Sequence, residues 1–341
     1  MDNITLKVSS YLFSTVKKMN WVQKLMKNYI FVLLENFSLL AFSSAIEPLR
    51  LANRMSKTDK FFWKLVSVEN DEVSCSNGTK IKCDGNLDSS TYRDDTIIIC
   101  GGTNIKDNMT KKLLGWLRRE ARKGLSIGGL CTASQILAKA GLLDNKKCTI
   151  HWENRDSFIE DFPDHQLTSS IYTVDGNRFT AAGGVASADL ILHLIGKEFG
   201  AELANLVADQ MIHTSIRTEK DSQRLSIPTR IGVRHPKLAA VLELMEQSLE
   251  EPDSPANLAS KVGVSTRQLE RLFRRYLNRS PKRYYMELRL QKARNLLLQT
   301  DMTVINVALA CGFSSPSHFS KCYRNHFSNT PYRERGSPDN H

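Results

Sequence analysis

The nine residues at 306–314 (NVALACGFS) repeat the pattern of those at 257–265 (NLASKVGVS), and this repeat decides the fold of the last third of the chain. Both copies have Asn first, Ala third, Gly seventh and Ser ninth. Glycine at this place permits the tight left-handed turn between two helices that pack nearly at right angles. The repeat therefore predicts an all-α domain with two helix-turn-helix motifs, over residues 254–276 and 303–327.

A second helix is expected after each of these turns. Ser265 with Gln268 three residues later fits a capping box, and Ser315 before Pro316 is a favoured start of a helix. From Leu269 onward, apolar residues recur at the i, i+3, i+4 and i+7 spacing, which predicts one buried face and one charged, exposed face. The expected helices cover about 265–277 and 316–327, with a long helix over about 281–298 between them.

From about Pro236 to Arg335 the sequence resembles the DNA-binding domain of the AraC/XylS family. The resemblance is carried by Ile305–Tyr323 (INVALACGFSSPSHFSKCY) and by Asn329–Tyr332 (NTPY), which are close to the signature of that family. It implies that the two second helices are recognition helices. It also implies that they enter successive major-groove segments on one face of double-stranded DNA.

The exposed residues of the recognition helices are the candidate DNA contacts. Arg267 and Arg271 are four residues apart and so share a helix face, near the end that faces base edges, and guanine is their natural partner. Glu270 either accepts a hydrogen bond from cytosine or pairs with Arg274, and a solvated surface role is the alternative for any single residue. The predicted base contacts are Arg267, Glu270, Arg271, Ser317, Ser320 and Lys321, and the predicted phosphate contacts are Arg274, Arg275, Arg279, Lys282, Arg283 and Arg324.

The charge distribution favours the same partner. The chain has 341 residues with a formal net charge of +11, and the 15 basic and 4 acidic residues from Lys261 to Arg335 account for all of the excess. Such asymmetry indicates nucleic acid or an anionic membrane surface, with a solubilising face as the alternative. No apolar run approaches the ~18–20 residues of a membrane-spanning helix. The seven scattered cysteines include no C-x-x-C pair, which predicts a cytoplasmic protein without a disulfide framework or a thiolate zinc site. We expect no metal and no cofactor.

Residues 29–213 alternate short apolar strands with amphipathic helices. This alternation predicts an α/β domain whose mostly parallel sheet is covered by helices on both faces. Ile171–Thr180, with Asp175-Gly176 at its centre, has the pattern of a β-hairpin. Predicted strands are Tyr29–Leu34, Phe61–Val68, Thr96–Cys100, Ser126–Leu130 and Lys147–Trp152, and predicted helices are Leu40–Asn53, Met109–Lys123, Cys131–Ala140, Ser187–Phe199 and Ala201–His213.

The strand at Ser126–Leu130, followed by Cys131 and a helix, resembles a nucleophile elbow. Such a turn places a thiol at a helix N-terminus, where the helix dipole lowers its pKa. The region from about 29 to 213 resembles the class I glutamine amidotransferase-like, or PfpI-like, domain. Two stretches, Asn36–Asn53 and Cys148–Asn154, are similar to regulators of glycine betaine, carnitine and arginine catabolism in which this domain is fused to AraC-type helices.

The residues around Cys131 do not fit a catalytic centre. A cysteine nucleophile needs a base within hydrogen-bond reach, but Thr132 stands where PfpI-type hydrolases have a histidine. His151-x-Glu153 follows only one strand after Cys131, whereas the equivalent pair of the amidotransferases lies near the end of the domain. We therefore predict no catalytic residue and a sensor domain. The alternatives are a Cys131-dependent thiol hydrolase or amidase with an attached nucleic-acid-binding domain, and a purely structural dimerisation role.

A sensor pocket is expected at the carboxyl ends of the strands. Trp152 there could stack on a quaternary ammonium group through a cation–π contact, with core packing as the alternative. His151 could contact the ligand or serve a structural role. The predicted pocket residues are Cys131, Thr132, His151, Trp152, Gly183 and Gly184.

Together these features predict a sequence-specific DNA-binding transcriptional activator. Its effector would be a small molecule, either a quaternary ammonium compound or an amino acid, and RNA polymerase is a further expected partner. We expect a homodimer formed through the N-terminal domain. The predicted organisation is an N-terminal extension over 1–28, a sensor and dimerisation domain over 29–215, a polar linker over 216–232 and a DNA-binding domain over 233–335.

Overall fold

The computed structural model of the protein describes residues 26–89, 91–224, 229–230, 232 and 235–336. Their contacts form two compact units. The first comprises residues up to Trp152 together with Asp164–Gln223, and the second comprises Glu153–Pro163 together with the chain from Arg224 onward. Nearly all of the predicted extension over 1–28 and part of the predicted linker lie outside the described residues. Within those described ranges, no helix has the length and apolar character needed to cross a membrane.

The first unit is built on a seven-stranded sheet. The strands of this sheet are β1 (Lys27–Leu33), β2 (Phe61–Ser67), β5 (Gly85–Asn86), β6 (Thr96–Cys100), β7 (Ser126–Leu130), β10 (Tyr172–Asp175) and β11 (Arg178–Ala181). They lie in the order β10-β11-β7-β6-β1-β2-β5. Neighbouring strands are parallel, except that β10 and β11 form an antiparallel hairpin. Two small sheets pair β3 (Glu72–Ser74) with β4 (Lys80–Lys82) and β8 (Lys147–Cys148) with β9 (Gln166–Leu167).

Helices cover both faces of this sheet. Ile98 and Cys100 of β6 face the core that is shared with α1, α5 and α6, while Ile97 and Ile99 alternate with them and are buried on the opposite face. This arrangement confirms the predicted α/β class. The helices of the first unit are α1 (Leu39–Ser56), α2 (Lys111–Arg122), α3 (Ser134–Lys139), α5 (Ala186–Phe199) and α6 (Ala201–Gln210), with a 3₁₀ turn at Ile105–Asn108. Helix α4 (Arg155–Asp161) belongs to the second unit and follows a 3₁₀ turn at Trp152–Asn154.

The helices that follow confirm the predicted all-α domain with two helix-turn-helix motifs. They are α7 (Pro236–Gln247), α8 (Pro255–Lys261), α9 (Thr266–Leu277), α10 (Pro281–Gln299), α11 (Val304–Ala310), α12 (Pro316–Phe327) and α13 (Pro331–Gly336). Helix α10 joins two separate cores. Its Tyr285 packs with Leu269 and Phe273, whereas its Leu296 packs with Phe319 and Tyr323.

Two predicted elements are four residues shorter than expected. Helix α3 begins only at Ser134, because Cys131 adopts a left-handed backbone with φ of 60°. Of the strand predicted over Lys147–Trp152, only Lys147 and Cys148 form a ladder. The backbone N–H of Thr149, which comes next, donates instead to the Thr180 hydroxyl at 2.8 Å, so the chain leaves the strand at that residue.

Candidate functional site

The first predicted recognition helix, α9, has the capping box that the sequence predicts. Ser265 Oγ accepts from the backbone N–H of Gln268 at 3.2 Å, and Gln268 Oε1 accepts from the backbone N–H of Ser265 at 2.8 Å. Leu269 and Phe273 are fully buried on one side of the helix. The other side exposes the three predicted base contacts of this helix, Arg267, Glu270 and Arg271.

The second predicted recognition helix, α12, is anchored in the same way. Ser315 caps it by accepting from the backbone N–H of His318, and Pro316 occupies its first turn. Phe319 and Tyr323 are fully buried and hold the helix against its core. Of the predicted DNA contacts in this helix, Ser317, Lys321 and Arg324 are exposed, and Ser320 is half-buried.

Two of the predicted phosphate contacts are already paired with an acid. The carboxylate of Glu287 in α10 accepts from Arg279 Nη1 and from Arg283 Nε, the latter at 3.2 Å. The Glu287 side chain is only 15% exposed, so this is a partly desolvated pair rather than a loose surface contact. Arg274, Arg275 and Lys282, which are also predicted phosphate contacts, are exposed.

Arg289 is a basic residue of α10 with a structural role. Its Nε donates to the carbonyl of Cys311 at 2.6 Å, and its Nη2 donates to the carbonyl of Gly312. The guanidinium carbon lies 4.1 Å from the centre of the Phe313 ring. Burial lowers the pKa of Arg289, but these contacts satisfy its charge at the end of α11. Arg289 therefore stabilises the second helix-turn-helix motif.

In the first unit, the chain makes the sharp turn at Cys131 that an elbow requires. The backbone N–H of Cys131 donates to the carbonyl of Ala181 at 2.9 Å, and the backbone N–H of His151 donates to the carbonyl of Cys131 at 3.4 Å. A Cβ atom on Gly183 would lie 2.8 Å from the Cβ of Cys131, so only glycine fits beside the turn. Thr132 is buried, and its hydroxyl donates to the carbonyl of Gly102 at 2.7 Å.

Beside the elbow lies a cavity of about 210 Å³. Four of the six predicted pocket residues line it, namely His151, Trp152, Gly183 and Gly184, whereas Cys131 and Thr132 do not. Trp152 is 42% exposed, which argues against a role in core packing, and its ring centre lies 5.5 Å from that of His151. The remaining lining residues are Ile171, Ala182, Val185, Ala186, Arg217 and Gln223.

Arg217 and Gln223 are cavity residues that the sequence assigned to the linker. Arg217 Nη2 and Nε donate to Asp189 Oδ2 at 2.6 and 3.0 Å, and the Asp189 side chain is fully buried. His213 Nε2 lies 2.8 Å from Asp189 Oδ1. The single signal in the sequence was Asp189 itself, an acid on the apolar face of a predicted helix, which needs a charged partner when it is buried.

Comparison with known proteins identifies both parts of the chain. Residues 258–336 match the helix-turn-helix domain family, and residues 29–197 match the DJ-1/PfpI family. The HTH-type transcriptional regulator GbdR of Pseudomonas aeruginosa is 44% identical over 90% of this chain and 84% of its own length. This chain belongs to the AraC family of transcriptional regulators. The HTH-type transcriptional regulator CdhR of the same species is 43% identical over 91% of each chain.

For the first unit, a solved structure supports the DJ-1/PfpI fold. A THiJ/PfpI family protein from Pseudomonas syringae superposes with a TM-score of 0.50 over 65% of this chain and 88% of its own, at 18% identity. The AraC-family relatives are regulators of the same two-domain architecture, and the present chain is a DNA-binding regulator. The elbow at Cys131 thus belongs to a regulator, and the thiol hydrolase or amidase alternative is not supported.

Proposed function

We propose that this AraC-family regulator contacts bases through α9 and α12 and phosphates through the basic residues around them. The observation that carries this proposal is that Arg267 and Arg271 are exposed on a helix that is capped and anchored independently of them. Arginine pairs bidentately with guanine in the major groove, and this is the commonest specific contact. The remaining proposed base contacts are Glu270, Ser317, Ser320 and Lys321, and the proposed phosphate contacts are Arg274, Arg275, Arg279, Lys282, Arg283 and Arg324.

We further propose that the cavity beside the elbow binds the effector. An exposed tryptophan in the wall of a concave site is a suitable partner for a cationic group, which supports a quaternary ammonium compound or an amino acid as effector. Cys131 and Thr132 do not line the cavity and would support its floor through the elbow and the Gly102 carbonyl. In this proposal 29–215 is the sensor and dimerisation domain, 216–232 the linker and 233–335 the DNA-binding domain.

The proposed setting is the cytoplasm, where a homodimer formed through the sensor domain activates transcription by contact with RNA polymerase. The sensor can be tested with a reporter gene, measuring output against the concentration of candidate effectors. We expect Trp152→Ala to raise the half-maximal effector concentration by about 10-fold, because cation–π contacts contribute about 0.5–2 kcal/mol.

The matched control is Cys131→Ala, which removes the thiol of a residue that does not itself line the cavity. It should shift the response much less than Trp152→Ala, with circular dichroism confirming that both variants are folded. Complete loss of induction in a folded Cys131→Ala protein, with little effect of Trp152→Ala, would show that the signal depends on thiol chemistry and would reject the proposed pocket.

A further inference from the structure

The chain crosses between the two compact units at three places. It leaves the first unit after Trp152, returns to it at Asp164 and leaves it again after Gln223. Trp152 and Gln223, the two residues at which the chain leaves the first unit, both line the cavity beside the elbow. The cavity wall therefore contains the starting points of both connections into the second unit.

Residues 153–163, here called the inserted segment, lie within the DJ-1/PfpI part of the sequence but belong by their contacts to the second unit. Most of the segment is α4, which packs against α10. Helix α10 in turn joins the core of α9 to the core of α12. A piece of the sensor sequence thus contacts the helix that lies between the two proposed recognition helices.

Charged residues of α4 and α10 come together near Cys311, at the end of α11. Asp156 and Glu160 are four residues apart and share one face of α4. Burial raises the pKa of the Cys311 thiol to about 12. The positive charges of Lys292 and Arg289 oppose this rise, whereas the carboxylates on α4 add to it. Because Coulomb interactions weaken with distance, all four side chains lie near this thiol, and the acids of α4 attract the basic residues of α10.

The cavity wall continues directly into α4. Trp152 lines the cavity and is also the first residue of the 3₁₀ turn Trp152–Asn154, after which α4 begins at Arg155. Consecutive helical turns are held by backbone hydrogen bonds and move as a stiff unit. A displacement of Trp152 therefore displaces the start of α4.

The second connection, from Gln223 to Arg224, is held more weakly on the side of the second unit. Gln223 Nε2 donates to Thr149 Oγ1 and to the carbonyl of Ile150, both at 2.9 Å. Arg224 Nη1 lies 3.8 Å from Glu246 Oε1 of α7, and the Arg224 side chain is 40% exposed. An exposed ion pair of this length contributes little in water. The inserted segment is therefore the better candidate for coupling the two units.

We propose that α4 couples the effector cavity to the recognition helices, by passing a displacement of Trp152 to α10 between α9 and α12. This inference rests on the proposed sensor function and adds the route of its output. Coupling between two binding sites is reciprocal, so the binding of DNA to the second unit must also alter the cavity wall. Reciprocity permits a test that does not require the effector.

The test is hydrogen–deuterium exchange of the full chain, free and bound to a DNA fragment that the unmodified protein selects from a random-sequence pool. We expect bound DNA to change the exchange rates of the inserted segment and of the cavity wall at residues 149–152 and 182–186. The change should be about 5-fold or more, which is the lower end of typical coupling factors. Unchanged exchange at the cavity wall in the DNA complex would overturn the proposal.

The double variant Asp156→Lys with Glu160→Lys replaces the attraction between α4 and α10 by repulsion. Asp156 is half-buried and Glu160 is exposed, so we expect the variant to fold and to bind the selected DNA. It should lose the DNA-dependent change at the cavity wall. The matched control is Asp164→Lys with Asp209→Lys, which alters the net charge equally at two exposed acids of the first unit and should keep that change. The exchange data on the unmodified protein decide the question even if the α4 variant is unfolded by circular dichroism.

The linker is the competing route, and an insertion of Gly-Ser-Gly-Ser after Arg224 tests it. We expect the insertion variant to keep the DNA-dependent change at the cavity wall, because α4 still connects the cavity to α10. Loss of the change in this variant, together with its persistence in the α4 variant, would overturn the proposal and assign the coupling to the linker. A reporter response to effector that persists in the α4 variant would also reject α4 as the coupling element, while leaving the proposed sensor function intact.

Discussion

At the scale of single residues, Arg267 and Arg271 differ from Lys282 in what they should contribute to binding. The two arginines are exposed on the recognition helix α9, whereas Lys282 is exposed at the start of α10. We expect Arg267→Ala or Arg271→Ala to weaken binding to the specific site by about 1–3 kcal/mol and to relax the preference at one base step. Lys282→Ala should weaken binding to all sequences alike and reduce the salt slope by about 1.

Fluorescence anisotropy titrations on operator and random DNA, at several salt concentrations, distinguish these effects. The comparison of the two DNAs is the control within each variant. If all three variants lost the same affinity on both DNAs, the two arginines would be phosphate contacts and not base contacts.

Glu287 offers a second test at this scale, because it holds Arg279 and Arg283 in ion pairs. Glu287→Gln removes the negative charge and leaves both guanidinium groups for phosphates. We expect tighter non-specific binding and a steeper salt dependence, by about one additional counterion released. Asp301→Asn removes one negative charge elsewhere in the same helical domain and serves as the control. Equal gains in non-specific DNA affinity in the two variants would mean that only the net charge affects binding and that the ion pairs with Glu287 do not.

At the scale of structural elements, the two helix-turn-helix turns are not equivalent although their sequences repeat. Gly263 and Gly312 both have left-handed backbones, with φ of 65° and 72°. A Cβ atom on Gly312 would lie 2.6 Å from the carbonyl oxygen of Glu250 and 2.8 Å from that of Leu249, whereas one on Gly263 would meet nothing within 4 Å. The second turn is therefore closed by neighbouring backbone, and the first is open.

This difference predicts unequal costs for the same substitution. Gly263→Ala should lower the free energy of unfolding by about 1–2 kcal/mol, the penalty of a left-handed conformation. Gly312→Ala should cost about 1–3 kcal/mol more, because the methyl group also displaces backbone atoms that cannot rotate away. Urea unfolding followed by circular dichroism measures both. Equal losses in the free energy of unfolding would mean that the backbone at Leu249 and Glu250 moves away from the new methyl group without destabilising the fold.

The elements also show how far sequence patterns reach. The strand Ser126–Leu130 and the turn after it could be predicted, because a short run with four apolar or glycine residues, followed by a stretch with helical periodicity, is typical of a buried strand that leads into a helix. The segment 217–223 could not, since its polar residues lack periodicity and their partners are as distant in sequence as Thr149 from Gln223. The strand predicted over Lys147–Trp152 is longer than the observed β8, because Thr149 and Ile150 are buried without belonging to the ladder. Hydrophobic patterns indicate which residues are buried, but they do not indicate which groups form hydrogen bonds with those residues.

At the scale of the whole molecule, the spacing of the two recognition helices sets the length of DNA that one chain can cover. Helix α10 has 19 residues and is therefore about 28 Å long at 1.5 Å per residue. Its first half packs with the core of α9, and its second half packs with the core of α12. Successive major-groove segments on one face of DNA are about 34 Å apart. The helical domain thus has the dimensions to place α9 and α12 in neighbouring segments.

The last prediction follows from this spacing. Hydroxyl-radical footprinting of the full chain should show two protected segments about 10 base pairs apart on one face of the DNA for each bound chain. The segments should be separable by mutation, because each recognition helix has its own core. Arg267→Ala with Arg271→Ala should weaken protection of one segment, and Lys321→Ala with Arg324→Ala should weaken the other. A single protected segment per chain, or loss of both segments together in each double variant at saturating protein, would mean that only one of the two motifs engages the DNA directly.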